Sequence, residues 1–395
     1  MANTDPKGDI DYVLSDALVF ISDEEDQGIQ RGVKRSAEDA ALVQEDQVKP
    51  TPAKRLEIDG EPSKVELDES GPPNQVDKPA EPSQTTVTPK TTEPSPAGHK
   101  EKTYTLVDQE SEIKQALANL RECSEANSLL AVDCEAEKLG RDGKLSLVAV
   151  ATERHTYLFD IKTLGAKVFD EGLRHLLQDP NREKLMFDCR SDSDCLWHLY
   201  AVKLTNVLDL QLMQIIHQES DKSHPYYGRV MPRDFQRRIK GFKKCLEHYV
   251  DDQNFARIKN SGLPLMGKDG VNWMKRPLIK QLLEYAAVDV QGFFPLYCKL
   301  KSAVDTPSAK KRLQVGSQRY LDLYQSKSVR IYDKYELNAF LPWRVLPDSV
   351  NETFYRQEVT CTGCKRRFPR SDFTKTQLRL GSQKCPVCKK IDKGC

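Results

Sequence analysis

Apolar positions are sparse over the first hundred residues of the 395-residue chain and become regular only after Thr103. Residues 103–107 read as a short strand, and 111–123 carry Ile113, Ala116, Leu117 and Leu120 at the spacing of one helical face. Dense apolar runs at 129–135 and 145–151 have the length of buried strands, and Arg141-Asp142-Gly143 between them supplies a turn. Further strands are predicted at 156–161, 184–187 and 204–208, with helices at 168–177 and 191–200 between them. Helices dominate beyond Asp209; a long one is predicted over 277–303, with Pro277 in its first turn, and another over 307–325. Consecutive strands followed by alternating strands and helices indicate an α/β fold, a mixed sheet covered by helices. Residues 329–355 form a less regular connector, and the last forty residues stand apart.

Composition changes the picture at the N-terminus. Residues 1–100 hold 21 acids against 11 bases and only Tyr12 and Phe20 of the 30 aromatics. Ten of the 22 prolines fall between Pro50 and Pro96. Such a segment buries too little apolar surface to offset the entropy of ordering, so 1–102 is predicted to be a disordered, acidic, Pro-rich region. One apolar strip interrupts it: Leu18-Val19-Phe20-Ile21, followed by Asp23, Glu24, Glu25 and Asp26. It resembles a SUMO-interaction motif, a candidate contact for a protein partner, and a chance apolar cluster is the plainer account. The start has no basic region leading into an apolar stretch, and no run reaches the ~18–20 apolar residues of a membrane span. Cys123, Cys134, Cys189, Cys195, Cys245 and Cys298 lie mostly inside apolar segments and read as core thiols of a reducing compartment. A soluble, intracellular protein is the expectation. Lys34-Arg35 and Lys54-Arg55 point weakly to the nucleus.

Charge then marks the chemistry. Asp133-Cys134-Glu135 ends the run Leu129-Leu130-Ala131-Val132, and the strand period of two puts both carboxylates on one face. Two acids so placed repel, and they call for a proton or a cation. Tyr285 and Asp289, at i and i+4 on the long helix, can address one small volume. Ser191-Asp192-Ser193-Asp194 follows a strand, where acids also favour a helix N-terminus.

These features in order, with Trp273-x2-Arg276-Pro277-Leu278 before the Tyr285–Asp289 pair, resemble the ribonuclease D and Werner-type branch of the DEDD 3′-5′ exonucleases, over about 104–303. The resemblance implies a ribonuclease H-like mixed sheet of five strands flanked by helices. It implies catalytic and metal-binding roles for Asp133, Glu135, Asp194 and Asp289, which would hold two Mg²⁺ or Mn²⁺ ions. Tyr285 would orient the attacking water, and the product would be a nucleoside 5′-monophosphate. Asp188 and Asp192 stand close by; Asp194 is preferred because Ser-Asp-x-Leu matches the family motif. Asp209 reads as a helix cap. Some relatives lack final-motif residues and act as binding partners only, so a silent nucleic-acid-binding scaffold in a small-RNA or RNA-processing complex is the alternative.

The stretch between Asp209 and Trp273 interleaves Arg229, Arg233, Arg237, Arg238, Lys240, Lys243 and Lys244 with Tyr226, Tyr227, Phe235 and Phe242. Charge for phosphates and aromatic faces for bases suit single-stranded RNA or DNA; a solvated helix face is the alternative. Finally, Cys361-x2-Cys364 and Cys385-x2-Cys388 form two knuckles with the spacing of a structural Cys₄ zinc site. Residues 356–395 add eleven Lys and Arg against three acids, a surface for nucleic acid or an acidic protein. The predicted organisation is therefore a disordered region (1–102), an exonuclease domain (103–303), a helix and connector (304–355) and a zinc module (356–395).

Overall fold

The computed structural model describes residues 104–122, 129–229, 232, 235–347 and 358–394. The disorder expected over 1–102, the apolar strip at 18–21, both basic pairs, Cys123 and Arg233 lie outside the described residues. Among those described, no helix is long and apolar enough to cross a membrane.

Strand β1 (Tyr104–Val107) and helix α1 (Glu110–Arg121) lead into three consecutive strands, β2 (Leu130–Glu137), β3 (Lys144–Ala151) and β4 (Thr156–Asp160). Short helices α2 (Ile161–Leu164) and α3 (Arg174–Gln178) follow, then β5 (Lys184–Met186), α4 (Arg190–Tyr200), β6 (Val207–Asp209) and α5 (Leu210–Ser220). The remaining helices are α6 (Phe242–Tyr249), α7 (Gln253–Gly262), α8 (Lys280–Leu300) and α9 (Pro307–Gln325), with α10 (Lys375–Arg379) and α11 (Pro386–Asp392) beyond them.

The sheet runs β1-β4-β3-β2-β5-β6. β2, β3 and β4 pair antiparallel, while β1 joins β4, and β5 and β6 extend from β2, in parallel. It has six strands, one more than the resemblance implied, because Tyr104–Val107 pairs in full register with Thr156–Phe159. Helix α8 crosses one face and contacts β1 to β5. Ile113, Leu117 and Leu120 of α1, Leu147, Val148 and Val150 of β3 and Phe293 of α8 are all shut off from solvent in one core. Helix α9 and the connector enter that same core through Leu313, Tyr320, Leu341, Val345 and Leu346.

Three element boundaries differ from expectation for local reasons. Strand β6 starts at Val207 rather than 204, because Asn206 has φ 49°, which no ladder accommodates. The helix predicted over 168–177 is interrupted at Gly172, whose φ of 131° only glycine adopts readily. Helix α8 starts at Lys280, so Pro277 lies outside it and the chain is extended at Lys275 and Ile279. Arg276 holds that extended segment down: its guanidinium donates to Asp160 at 2.5 and 2.6 Å and to the Trp273 carbonyl at 2.8 Å. Trp273 is 1 % exposed. Of the cysteines, Cys134, Cys189, Cys195 and Cys245 are buried as expected, but Cys298 is exposed.

The Arg276–Asp160 pair fixes how the chain enters α8, so removing one partner strands the other. Asp160→Ala should lower stability by about 3 kcal/mol in urea unfolding. A loss below about 1 kcal/mol would mean that the pair behaves like an exposed one.

Candidate active site and cysteine cluster

Strand β2 delivers the first two acids. Asp133 pairs across to Ala149 and Glu135 to Leu147, so both project from the same face, and the register shifts immediately after Glu135. Helix α8 lies on that face and brings Tyr285 and Asp289. Carboxylate oxygens of Asp133, Glu135 and Asp289 lie within 4.8 Å of one another, with Glu135 and Asp289 buried. They line an open cleft together with Asp192 and Tyr285. Its apolar wall includes Phe187, Phe242, Met266 and Phe293.

The structure separates the three acids that follow β5. Asp188 binds Arg190, whose guanidinium lies 4.9 Å from the Tyr320 ring centre. Asp194, the residue preferred from sequence, is fully buried and does not line the cleft. Arg141 donates to it from its backbone N (3.0 Å), Nε (3.0 Å) and Nη2 (2.8 Å), and Arg330 donates at 3.1 Å. Asp192 is the one that faces the cleft: its carboxylate accepts the backbone N–H of Cys134, between the two β2 acids, at 3.1 Å. Burial pushes its pKa up to about 7, against the opposing pull of its backbone hydrogen bonds. The structure thus brings Asp133, Glu135, Asp192, Tyr285 and Asp289 together along the cleft and places Asp194 between Arg141 and Arg330, away from its lining. Asp209 caps α5 as expected, accepting the backbone N–H groups of Gln211 and Leu212.

Lys259 was not anticipated. Its ammonium donates to the Tyr285 hydroxyl at 2.6 Å and to the two Asp289 oxygens at 2.7 and 3.0 Å, and the residue is 2 % exposed. A signal for it existed. Phe255, Lys259 and Gly262, at i, i+4 and i+7 of α7, are its buried residues, so the lysine sits on the inward stripe.

The basic, aromatic stretch divides. Phe242 packs in the core at 5.2 Å from Phe187 and 5.0 Å from Phe293, and Arg237 pairs with Glu219. Tyr227, Arg229 and Lys244 remain exposed.

In the C-terminal module, one sulfur from each of Cys361, Cys364, Cys385 and Cys388 lies within 4.8 Å of the others. The hairpin β7 (Glu358–Thr360) and β8 (Arg367–Pro369) carries the first pair, and Cys385 opens α11. The backbone N–H of Cys385 donates to Cys361 Sγ at 3.2 Å, a bond that favours a thiolate acceptor. Four sulfur donors with no oxygen among them suit a closed zinc site. A small core of Phe340, Phe368, Phe373 and Val387 surrounds the cysteines, and Arg344 of the connector grips Asp372 at 2.6 and 2.7 Å.

The mixed sheet thus gathers these carboxylates where strand β2 meets the crossing helix α8. The model of a 3′-5′ exonuclease family matches residues 104–305, and the chain belongs to that family. It is 30 % identical over 204 residues to the mouse piRNA biogenesis protein EXD1, covering 51 % of this chain and 33 % of that protein. To the Xenopus laevis protein of that name it is 27 % identical over 240 residues, covering 60 % and 50 %. The chain thus spans between a third and a half of these relatives' length. Trypanosoma brucei RNase D is similar in structure, with a TM-score of 0.51 and 25 % identity, covering 71 % of this chain and 99 % of that one. Its complex with RNA U12 gives 0.50 and 25 %, covering 70 % and 87 %.

Two expectations follow. Asp194→Ala leaves Arg141 and Arg330 facing each other without their shared carboxylate, and should cost about 3–5 kcal/mol in urea unfolding; an unchanged midpoint would sink the structural role. Purified protein should contain one zinc per chain by atomic absorption, and Cys361→Ser/Cys385→Ser should contain none. Equal zinc in both would show that the cysteines are not its ligands.

Proposed function

We propose that the protein is a metal-dependent exonuclease that removes nucleoside 5′-monophosphates from the 3′ end of single-stranded RNA. The observation that carries this is the convergence of Asp133, Glu135, Asp192 and Asp289 with Tyr285 in one open cleft. The likeness to an RNase D captured with RNA, and to proteins of piRNA biogenesis, supports RNA over DNA.

The donor set is all oxygen and strongly anionic, which fits Mg²⁺ or Mn²⁺. When bound, the metal supplies a polarised water and charge stabilisation of the departing 3′-oxygen. The chain's own groups do the rest. Asp133 and Glu135 are fixed by the β2–β3 ladder, and Asp289 by α8, so the ligands are aligned before substrate arrives. The Cys134 N–H holds Asp192 toward the same space. Lys259 donates to the Tyr285 oxygen and so holds the phenol in place beside the carboxylates. Phe187, Phe242 and Phe293 make the wall beside the acids apolar. The C-terminal module carries an excess of Lys and Arg that suits contact with further phosphates of the strand.

A second reading, a binding scaffold without turnover, draws support from the lysine already seated on Asp289. One assay separates the two. On a 5′-labelled single-stranded RNA with Mn²⁺, wild type should yield a ladder shrinking from the 3′ end. Asp133→Asn and Asp192→Asn should each slow it by at least about 10²-fold while remaining folded. Tyr285→Phe should slow it by about 10–10²-fold. Binding without any shortening would establish the scaffold. Full activity in Asp192→Asn would remove that residue from the cleft chemistry.

A further inference from the structure

We propose that Lys259 is a built-in cation of the cleft, holding the position on Asp289 that a second divalent ion would need, so that the protein takes one metal ion there rather than two. The inference rests on the metal-dependent reading above and concerns how many ions that site accepts.

Three observations carry it. First, the ammonium meets both oxygens of Asp289, at 2.7 and 3.0 Å, and the Tyr285 hydroxyl at 2.6 Å. An ammonium has three N–H donors with which to make such contacts. A divalent ion bridging Asp289 to the β2 acids can use one edge of that carboxylate; a second ion on the other edge must evict the lysine. Second, the lysine's place is built. Its ammonium lies 4.0 Å from the centre of the Tyr285 ring and 5.4 Å from that of Phe242, and both rings favour a cation. Helix α7 reaches this depth because Gly262, one turn further on, carries no side chain: a Cβ there would lie 2.5 Å from the Tyr285 ring. A buried lysine without such compensation would be strongly unfavourable. Third, the ammonium supplies positive charge to the site: the carboxylates of Asp133, Glu135, Asp192 and Asp289 sum to −4 when ionised, one divalent ion and the ammonium bring that to −1, and a second divalent ion would carry it past neutrality to +1.

The test counts ions directly, using zinc-loaded full-length protein and Mn²⁺, by electron paramagnetic resonance and calorimetry. Asp133→Asn/Asp289→Asn defines the background outside the cleft. Wild type should bind one Mn²⁺ per chain above that background. Lys259→Met, which keeps the chain length and removes the charge, should bind two, and Lys259→Arg should remain at one. Two ions in wild type would overturn the proposal whatever the variants do. So would a single ion in a Lys259→Met protein whose thermal unfolding remains cooperative; should that variant fail to fold, Lys259→Gln takes its place, and the wild-type count still decides. No Mn²⁺ above background in wild type would overturn the metal-dependent reading itself, and this inference with it.

Discussion

Carboxylates gathered in a space of low polarity repel, and the rest of this molecule is arranged around that repulsion. The ends of β2, β4, β5 and β6 and the middle of α8 carry many acids, and the fold assigns cations to several of them. Arg190 takes Asp188, Arg141 and Arg330 share Asp194, Arg276 takes Asp160, and Lys259 takes Asp289. Around the cleft, ion pairing is thus the device that lets acidic side chains be both buried and close. What it leaves facing the cleft is a set of oxygens in fixed positions.

The same pairing ties distant segments together. Arg141 sits in the β2–β3 hairpin, and beyond Asp194 it donates to the carbonyls of Tyr324, Lys327 and Ser328. Arg330 bridges Asp194 to Glu336, which also pairs with Lys327. Asp194 is two residues from Asp192 on α4, so the cage that holds one acid inside also sets the azimuth of the other. The connector continues through Arg344 and Trp343, both bonded to Asp372, into the cysteine cluster. A continuous run of contacts therefore leads from the cleft to the C-terminal module.

Much of this was legible in the sequence. A period of two placed Asp133 and Glu135 together, i to i+4 placed Tyr285 with Asp289, and the spacing of four cysteines placed the cluster. What was not legible turned on partners far along the chain. Asp192 and Asp194 differ by about 200° around a helix, so only one can face a given side. Which one is decided by Arg141 and Arg330, 53 and 136 positions from Asp194. Lys259 lies 30 positions from Asp289 in a helix whose one other basic residue, Arg257, is exposed; its place on the buried stripe was the one local clue. The extent of β6 depended on the backbone of a single residue, Asn206, which composition does not report.

The arginine cage also bears on how such a module can be inherited. The family match ends at residue 305, yet Tyr320, Leu341 and Val345 belong to the same core. Ser317 accepts the Asp209 backbone N–H, and the Tyr320 hydroxyl donates to Gln211. A gene fragment cut at the edge of the recognisable exonuclease would arrive in a new protein with the back of α4 and the start of α5 unsupported. Recombination that preserves this fold must carry about forty further residues, so the structural unit is longer than the unit that similarity detects.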